Sequence, residues 1–454
     1  MKYKLINPPN NKYSAKQQIL INRGISIKDL QHYLNLSWDD VNDPEIFGED
    51  LMDAGAHMLM KTLVNKGQVV VIVDSDCDGY TSSAVLLNYI YDMDPEFTEN
   101  NVHWFMHDSK QHGLQDAMEF IDDIGPDLVI VPDAGSNDEL YLRTLEEKEI
   151  NVLILDHHEV EIVDFWRTIQ HPYLILINSQ SPQYPNKELS GVGVVWQFCR
   201  YIDKINGTNY ANWYLDLVAL GLTGDMVSLR SFETRQLIFK GLDPTNIHNP
   251  FIYYMWQKNK FKLGDNLTSW GATFYIVPLV NAITRSGTFE EKELIFKSML
   301  KFKALEMILS NKRGHKAGEQ EKLIEQAIRT CTNVKNRQTR AENAGLELVE
   351  HLIKENNMMD HKVLLFLLEP GQIQPEIRGL IANKLMARYQ RPCCILTHRT
   401  EKVVHKYDDP ELKGVTVDEY IHTYEGSARG CDKVGVTEFK DICAATRAVE
   451  YVVG

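Results

Sequence analysis

Short apolar runs alternate with longer helical stretches from about residue 50 to about residue 180 of the chain. The runs occupy residues 69–73, 128–131, 152–155 and 174–177, and they are rich in valine, isoleucine and leucine. Strands that are buried on both faces of a parallel sheet have this length and composition, and helices connect them. The pattern therefore predicts an α/β fold with a parallel sheet that contains these four strands.

Polar residues follow each of the predicted strands. In open parallel sheets, ligand-binding groups cluster beyond the carboxyl ends of the strands. We therefore expect the polar side chains to line one acidic edge that also carries imidazoles. In chain order they are Asp74, Asp76 and Asp78 after the first strand, Asp133 after the second, Asp156, His157 and His158 after the third, and Asn178 and Ser179 after the fourth.

The chain beyond residue 180 is mainly helical. A helical pattern over residues 213–241 is interrupted at Gly224 and Asp225, and residues 315–356 have the composition of one long helix that breaks near Thr332. A second α/β unit follows, with strands at 363–368 and 393–397 and a helix at 375–389 between them. These patterns predict a first domain over residues 1–310, a connecting helix over 311–358 and a smaller α/β domain over 359–454.

The composition is that of a folded globular protein, with 44% apolar and 24% charged residues among 454. The start of the chain lacks the apolar core of a signal peptide, and no apolar run approaches the length that crosses a bilayer. We therefore expect a cytoplasmic protein without a membrane partner. Seven cysteines with no CxxC pair argue against a disulfide framework and a zinc ribbon, and Cys393 and Cys394 are expected in a buried strand.

The formal net charge of −15 contrasts with the basic surface by which proteins usually hold nucleic acid. A carboxylate-rich site attracts phosphate only after it has collected divalent cations. Residues 301–340 also carry ten Lys and Arg against four Glu. This basic run fits a solvated helix face and a DNA-facing surface equally well.

The acidic edge has the ligand types that phosphodiester hydrolysis requires. Two divalent ions can activate water, neutralise charge on the phosphoryl oxygens and assist the leaving alkoxide. Asp225, at a break in a helical pattern, is placed to add a further carboxylate. Oxygen and imidazole ligands without thiolate favour Mn²⁺ or Mg²⁺ over structural zinc. Each element alone also fits a calcium-loop fragment or a helix N-cap, but four such elements in succession favour a metal site.

Four segments in this order resemble the motifs of the DHH phosphoesterases: VIVDSDCDGYTSSA, VIVPDAGSND, VLILDHHEVE and ALGLTGDMVSL. The finer resemblance is to RecJ-type exonucleases, through LSGVGVVWQF before the fourth motif and PLVNAITRSGTFEE after it. Near the end, QPEIRGLIANKLMARYQRPCCIL and EGSARG resemble the associated DHHA1 domain. The resemblance covers nearly the whole chain and implies a DHH domain joined by a long helix to a DHHA1-like domain.

The resemblance assigns roles to individual residues of the acidic edge. It implies metal ligands at Asp76, Asp78, Asp133, His157 and Asp225, with Asp133 as the bridge between two Mn²⁺ or Mg²⁺ ions. His158 is implied as a further catalytic group that contacts phosphate. Asp74 and Asp156 are implied to orient the ligands, as groups behind a metal site generally do.

The substrate contacts implied by the resemblance lie in both domains. Arg285 matches an arginine that faces the scissile region, although Thr284 stands where relatives often carry glycine. In the second domain, a loop with Ser427 and Arg429 resembles a phosphate-binding segment; without the resemblance, it reads as a glycine-framed turn. Two further residues are candidates for substrate contact. Lys110 stands beside His112 and Gly113, where an ordinary turn is the alternative. For Arg378 the alternative is a helix cap.

The resemblance implies a single-stranded-DNA exonuclease with 5′-to-3′ polarity and nucleoside 5′-monophosphate products, acting in DNA repair and recombination. Single-strand-binding protein or a helicase are implied as partners. A first alternative is a DHH phosphodiesterase for short oligonucleotides or cyclic dinucleotides. A second is a non-catalytic DNA-binding replisome scaffold, against which the complete set of ligands argues.

The carboxyl end stops near the place where the DHHA1 domain of relatives continues to a glycine-rich segment. A helix is expected over about residues 436–449, followed by the apolar start of a strand at Val452 and Val453. An unpaired strand would expose backbone groups at a sheet edge. The pattern therefore indicates a DHHA1-like domain that is incomplete at its carboxyl end.

Overall fold

The computed structural model describes residues 6–8, 10–108, 111–168, 171–406 and 416–436. The chain divides into two compact units, Met1–Thr332 and Asn333–Gly454. The finer division into domains 1–310, 311–358 and 359–454 stays a prediction. Within the described part of the chain, no helix combines the length and apolar character needed to cross a membrane.

The first unit is built on a five-stranded parallel sheet in the order β2-β1-β3-β4-β5. All four predicted strands are present, and β1, β3 and β4 are almost entirely buried. The fifth strand, β2, was not predicted, because its sequence VHWFM is only partly buried at the sheet edge and contains His103. The strands are β1 Val69–Val73, β2 Val102–Met106, β3 Leu128–Pro132, β4 Asn151–Asp156 and β5 Leu174–Asn178.

The strand order reverses between β1 and β3. From β1 the chain passes to β2 on one side, whereas from β3 it passes to β4 on the other. At such a switch point the two connections leave the sheet in opposite directions and open a crevice beyond the carboxyl ends of the strands. The predicted acidic edge flanks this crevice, with Asp74 after β1 and Asp133 after β3.

Helices cover the sheet and extend the first unit beyond it. In chain order they are α1 Ala15–Asn22, α2 Leu30–Leu34, α3 Glu49–Val64, α4 Cys77–Met93, α5 Pro95–Asn101, α6 Met118–Ile124, α7 Glu139–Glu147, α8 Val163–Thr168, α9 Gly191–Asn206, α10 Leu215–Gly224, α11 Phe232–Gly241, α12 Pro250–Lys258, α13 Lys260–Leu263, α14 Ser269–Tyr275, α15 Val277–Ser286 and α16 Phe289–Met299. The predicted interruption at Gly224 and Asp225 is confirmed, because α10 ends there.

Helix α4 is the central helix of the first unit. Its residues from Cys77 to Ile90 are all buried, because it packs against β1 and β3 as well as against α9 and α10. Most helices on a sheet bury only one face. The burial of α4 on all sides fixes the position of its first turn, which carries two of the predicted metal ligands.

The long helix predicted over residues 315–356 begins later in the structure. A hairpin of β6 Met307–Leu309 and β7 Gln320–Lys322 precedes it, and α17 then runs as Leu323–Glu355 without a break at Thr332. The predicted start of the helix was wrong. The hairpin is rich in charged, helix-forming residues, but its two strands are joined by a segment in which Gly314 and Gly318 have positive φ.

The second unit has a three-stranded sheet in the order β10-β9-β8, with α18 Pro375–Tyr389 packed on it. Strand β8 Leu364–Leu368 is parallel to β9 Cys393–Lys406, and β10 Thr416–Arg429 is antiparallel to β9. The expected loop with Ser427 and Arg429 is therefore the end of a strand, which extends the ladder of β9. The helix expected over 436–449 and the strand start after it lie almost wholly outside the described residues.

Candidate active site

The amino end of α4 positions the first two acidic residues. Asp76 is the N-cap, and its Oδ1 accepts hydrogen bonds from the backbone N–H groups of Asp78 at 2.8 Å and Gly79 at 3.0 Å. The buried Asp78 carboxylate accepts a hydrogen bond from Ser190 Oγ at 2.9 Å through Oδ1. Its Oδ2 is also buried and receives no hydrogen bond from the described residues.

Asp133 occupies a strained position directly after β3. Its φ is 64°, in the left-handed region that few residues other than glycine adopt, and its backbone N–H donates to Leu155 O at 2.8 Å. The side chain is 2% exposed, and its buried Oδ1 accepts no hydrogen bond within the described part of the chain. The turn thus directs the Asp133 carboxylate into the crevice, and one of its oxygens receives no hydrogen bond from the described residues.

Two glycines allow neighbouring helices to approach these carboxylates closely. A Cβ at Gly191, the first residue of α9, would lie 2.3 Å from Asp133 Oδ1. A Cβ at Gly221 of α10 would lie 2.5 Å from Asp78 Oδ1. Real Cβ atoms do not come this close to an oxygen, so both positions require glycine if the carboxylates are to keep their places.

His157 lies between two carboxylates from different elements. Its Nε2 is 3.2 Å from Asp133 Oδ1, although without the geometry of a hydrogen bond, and its Nδ1 is 3.9 Å from Oδ2 of Asp225 at the end of α10. Burial, together with the charge of His158, lowers the pKa of His157 to about 4. The imidazole is therefore neutral near pH 7, which is the form that binds a metal ion.

Asp156 and His158 form a second hydrogen-bonded pair at the edge. His158 Nδ1 lies 2.8 Å from Asp156 Oδ1, and the backbone N–H of Ser136 donates to the other carboxylate oxygen at 3.2 Å. Burial by itself raises the pKa of the Asp156 carboxyl, but the hydrogen bonds and charge of His158 outweigh it and hold this pKa below its ordinary value. The same hydrogen bond raises the pKa of His158 to about 9, so a half-exposed cation faces the crevice.

Further groups hold the edge in place, and the sequence singled out Asn178 among them but not Ser190 or Gln180. Besides Ser190, Gln180 donates from Nε2 to the carbonyl oxygen of His157 at 3.0 Å, and Asn178 donates to that of His158 at 3.0 Å. The signal for Ser190 was its position directly before the glycine-containing start of α9. Asp74, predicted to orient ligands, is buried and hydrogen-bonded to His112 Nδ1 at 2.8 Å.

The predicted ligands converge into sets of potential metal-binding groups whose ligand atoms lie within 4.8 Å of one another. These sets are Asp78, His157 and Asp225; Asp74, Asp76 and Asp133; and Asp133, Asp156, His157 and His158. Burial and the charges of Asp225 and Asp76 raise the pKa of Asp78 to about 8, and burial and the Asp76 charge raise that of Asp225 to about 6. Carboxylates that repel one another and keep buried oxygens without donors fit divalent cations that favour oxygen and imidazole.

The predicted substrate-contacting residues are distributed over both units. Arg285 is in the last turn of α15, which packs against α4 and α10. Ser427 and Arg429 are at the end of β10, close to α18 of their own unit, where a Cβ at Gly379 would lie 2.8 Å from Arg429 Nη2. Lys110 lies outside the described residues.

Arg378 is held by its own unit. Its side chain is buried, and the guanidinium donates to the carbonyl oxygen of Glu425 at 2.7 Å and to Glu425 Oε1 at 3.1 Å. The DNA contact considered from the sequence stays a prediction for Arg378. The arginine ties α18 to β10.

The basic run over residues 301–340 contains several internal ion pairs. Arg329 and Lys312 both contact Glu321, at 2.6 Å and 3.2 Å, and Lys303 pairs with Glu306 at 2.9 Å. These carboxylates offset part of the local surplus of positive charge. The run is also divided between the hairpin and α17, so it does not form a single helix face.

Comparison with known proteins supports both the fold and the cluster of potential metal-binding groups. The family model described as "DHH family, N-terminal domain" matches residues 68–222, which include β1 to β5 and most of α10. The protein YorK of the SPbeta prophage in Bacillus subtilis (strain 168), named as a single-strand DNA-specific exonuclease, is 33% identical over 100% of this chain and 72% of its own length.

More distant similarity extends to RecJ itself. The RecJ protein of Bacillus subtilis (strain 168) is 24% identical over 89% of this chain, which spans 47% of that protein's length. A crystal structure of exonuclease RecJ bound to manganese superposes with a TM-score of 0.59 at 20% identity, over 77% of this chain and 81% of that one. The sheet and its acidic edge thus define a DHH domain. The chain belongs to the DHH superfamily, in its RecJ-like group.

Proposed function

We propose that the protein is a metal-dependent exonuclease that removes nucleotides from single-stranded DNA, in the 5′-to-3′ direction, and releases nucleoside 5′-monophosphates. The observation that carries the proposal is the convergence of carboxylates and a neutral imidazole from four separate segments at the switch point of the sheet. The full-length similarity to YorK supports the choice of substrate, because that relative is named for single-strand DNA.

The proposed metal ligands are Asp76, Asp78, Asp133, His157 and Asp225. Two bound Mn²⁺ or Mg²⁺ ions would supply an activated water and neutralise charge on the phosphoryl oxygens. The protein's own contribution is to hold the carboxylates against their mutual repulsion and to keep His157 neutral. The RecJ structure bound to manganese supports the choice of metal.

His158 is proposed to contact the scissile phosphate. It is cationic near pH 7 because Asp156 stabilises its protonated form, and its side chain is 53% exposed. A cation here attracts a phosphate that the surrounding carboxylates repel. Arg285 is proposed to contact the same strand, and Ser427 and Arg429 are proposed to bind a backbone phosphate.

Single-strand-binding protein or a helicase as partner, and a cytoplasmic location, complete the proposal. The two rival functions are not favoured by a specific observation. A non-catalytic scaffold has no need for buried carboxylate oxygens without donors, and a small-substrate phosphodiesterase does not account for similarity to YorK along the entire chain.

The test is a degradation assay on single- and double-stranded DNA that carries a label at one end or the other. We expect mononucleotide release from the 5′ end of single strands with Mn²⁺ or Mg²⁺, and none with chelator. Release from the 3′ end would overturn the polarity. Equal degradation of the duplex would overturn the strand preference, and turnover in chelator would overturn the metal dependence.

A further inference from the structure

A cavity of about 780 Å³ opens in the first unit, apart from the acidic cluster. Its volume lies in the range of small-molecule sites, and like them it has mostly ring-bearing and apolar walls with a few polar groups. None of its lining residues belongs to the candidate active site. The side chains that matter here are Tyr210, Trp213, Tyr253, Tyr254, Lys301 and Lys322.

Two helices separate this cavity from the acidic cluster. Helix α10 begins beside Tyr214, which lines the cavity, and ends at Asp225. Helix α4 begins after Asp76 and carries Asp92, another lining residue, in its last turn. A rise of 1.5 Å per residue separates these ends by about 15 Å along α10 and about 24 Å along α4. The cavity is therefore a separate site at the other end of both helices.

The floor of the cavity is fixed by polar contacts. The Tyr214 hydroxyl donates to the Asp92 carboxylate, which also forms an ion pair with Lys301. The Lys301 ammonium lies 5.8 Å from the centroid of the Tyr214 ring. Because the Lys301 ammonium offsets the charge of Asp92, the floor does not repel an anion.

The walls present aromatic rings and a cation toward solvent. Trp213 and Tyr253 remain 55% and 47% exposed. His248 packs beside the Trp213 ring at a centroid distance of 4.6 Å, which steadies its orientation. Lys322 is exposed at the end of β7 and forms no ion pair within the described part of the chain. The exposed rings of Trp213 and Tyr253, together with the Lys322 ammonium, suit a ligand that has both an aromatic face and a negative charge.

We propose that this cavity binds a nucleotide, with its base stacked on Trp213 or Tyr253 and its phosphate near Lys322. A nucleobase that carries a phosphate has both required features, and stacking on aromatic rings tolerates any base. Two sources offer this chemistry: a free nucleoside monophosphate and one nucleotide within a DNA strand. The site goes beyond the proposed exonuclease activity and does not depend on it, because no catalytic group takes part.

The test is a titration of the full chain in chelator, which removes hydrolysis from the measurement. Deoxyadenosine monophosphate, deoxyadenosine, inorganic phosphate and an oligodeoxyadenylate strand are added separately while tryptophan fluorescence is recorded. We expect saturable quenching by the monophosphate or the strand, weaker quenching by the nucleoside and none by phosphate. Trp213→Ala should weaken binding of the monophosphate about tenfold in calorimetry, and Lys322→Ala should remove its advantage over the nucleoside.

Matched controls separate this cavity from other surfaces and from the active site. Trp270→Ala removes another tryptophan, 58% exposed, that does not line the cavity. Lys28→Ala removes an exposed lysine that lies shortly before the start of α2. Both should leave binding unchanged. Binding that Asp133→Asn abolishes and Trp213→Ala does not would place the nucleotide in the acidic cluster and overturn the proposal. No saturable signal at millimolar monophosphate and no binding of the strand would overturn it as well.

Discussion

Asp133 combines an unfavourable backbone with an unfavourable side-chain environment. Its left-handed φ of 64° carries strain of order 1–3 kcal/mol. Its carboxylate is buried beside other carboxylates, and Oδ1 receives no hydrogen bond from the described residues. A bound cation would convert the second cost into a gain, which supports the proposed role of Asp133 as a metal ligand.

Replacing the Asp133 carboxylate should lower the activity of the protein but raise the stability of its metal-free form. Asp133→Asn is expected to lower turnover by more than about 100-fold, the upper end of the effect of groups that only orient a metal ligand. The metal-free variant should melt at a higher temperature than the metal-free parent, because one repelling charge is gone. Melting curves with and without Mn²⁺ and calorimetric metal titration measure both effects.

The control for this variant is Asp122→Asn, which removes an exposed carboxylate that pairs with Lys148. It should change neither the turnover nor the shift of the melting temperature that Mn²⁺ produces. An Asp133→Asn variant with near-normal turnover, or with an undiminished shift by Mn²⁺, would contradict the assignment of Asp133 as the bridging ligand.

The sequence predicted the acidic and histidine residues of the cluster but not the contacts of Ser190 and Gln180 that hold them. Asp76, Asp133 and His157 could be found because strand ends in a parallel sheet converge, which is a rule of the fold. The contact of Ser190 with Asp78 joins residues 112 positions apart. Such a contact depends on the packing of α9 against α4, which no local pattern specifies.

Among the secondary-structure elements, α9 sets how closely the helical layer approaches the cluster. Gly191→Ala would place a Cβ 2.3 Å from Asp133 Oδ1. Either the carboxylate or the helix must move, at a cost of about 1–3 kcal/mol. We expect a loss of activity larger than the loss of stability alone explains, measured as kcat together with the free energy of unfolding.

The other end of the same helix provides the control. Gly207 caps α9 at a φ of 68°, and a Cβ there would meet no atom within 4 Å. Gly207→Ala should cost about 1 kcal/mol of stability through backbone strain alone and leave kcat unchanged. Equal effects of both variants on kcat would show that Gly191 matters only for folding.

The β6–β7 hairpin should make stability depend on acid pH. The hydrogen bond from Arg329, followed by those from Ser310 and Lys312, lowers the pKa of Glu321 to about 2 from its ordinary 4.5. A lowered pKa means that the stabilisation is complete above about pH 4.5 and is lost as the pH falls toward 2. Glu321→Gln should lower the free energy of unfolding at pH 7 by about 1–3 kcal/mol.

Denaturant unfolding at several pH values between 7 and about 2 measures this effect. The difference between the parent and Glu321→Gln should narrow as the pH falls through that window. Glu325→Gln, which removes an exposed carboxylate 4.0 Å from Lys312, is the matched control and should change little at any pH. A constant difference between parent and Glu321→Gln at all pH values would refute the assigned pKa shift.

The elements that the sequence could not predict share a physical feature. Strand β2 lies at an edge of its sheet, and β10 pairs with β9 alone among the described strands. The β6–β7 hairpin consists mainly of charged and helix-forming residues. Their strand conformation comes from pairing with a neighbour, and their sequences contain no apolar run as long as those of β1 and β3. Strands buried on both faces, such as β1 and β3, need that run and were predicted.

At the scale of the whole molecule, the net charge of −15 should oppose DNA binding wherever cations do not offset it. We expect affinity for single-stranded DNA to depend on divalent metal and to fall in Arg285→Ala and in Arg429→Ala. Each variant should also reduce the slope of log affinity against log salt by about 1.

Fluorescence anisotropy with labelled single strands, with calcium as a divalent ion that is expected not to support rapid turnover, measures affinity at several salt concentrations. Arg143→Ala, which removes an exposed arginine paired with Glu139 on α7, is the control. Unchanged affinity in both test variants would show that the strand lies elsewhere on the molecule.

The switch-point crevice draws its carboxylates and imidazole from positions 76 to 225. Closing loops of this length before any stabilising contact forms is slow, and parallel strands cannot pair until their crossover helices are in place. We therefore expect the complete set of ligands to come together late in folding, after β1, β3 and β4 have aligned. If the proposed ligands bind metal, metal capture would report finished folding, because a nascent or misfolded chain would present only fragments of the ligand set.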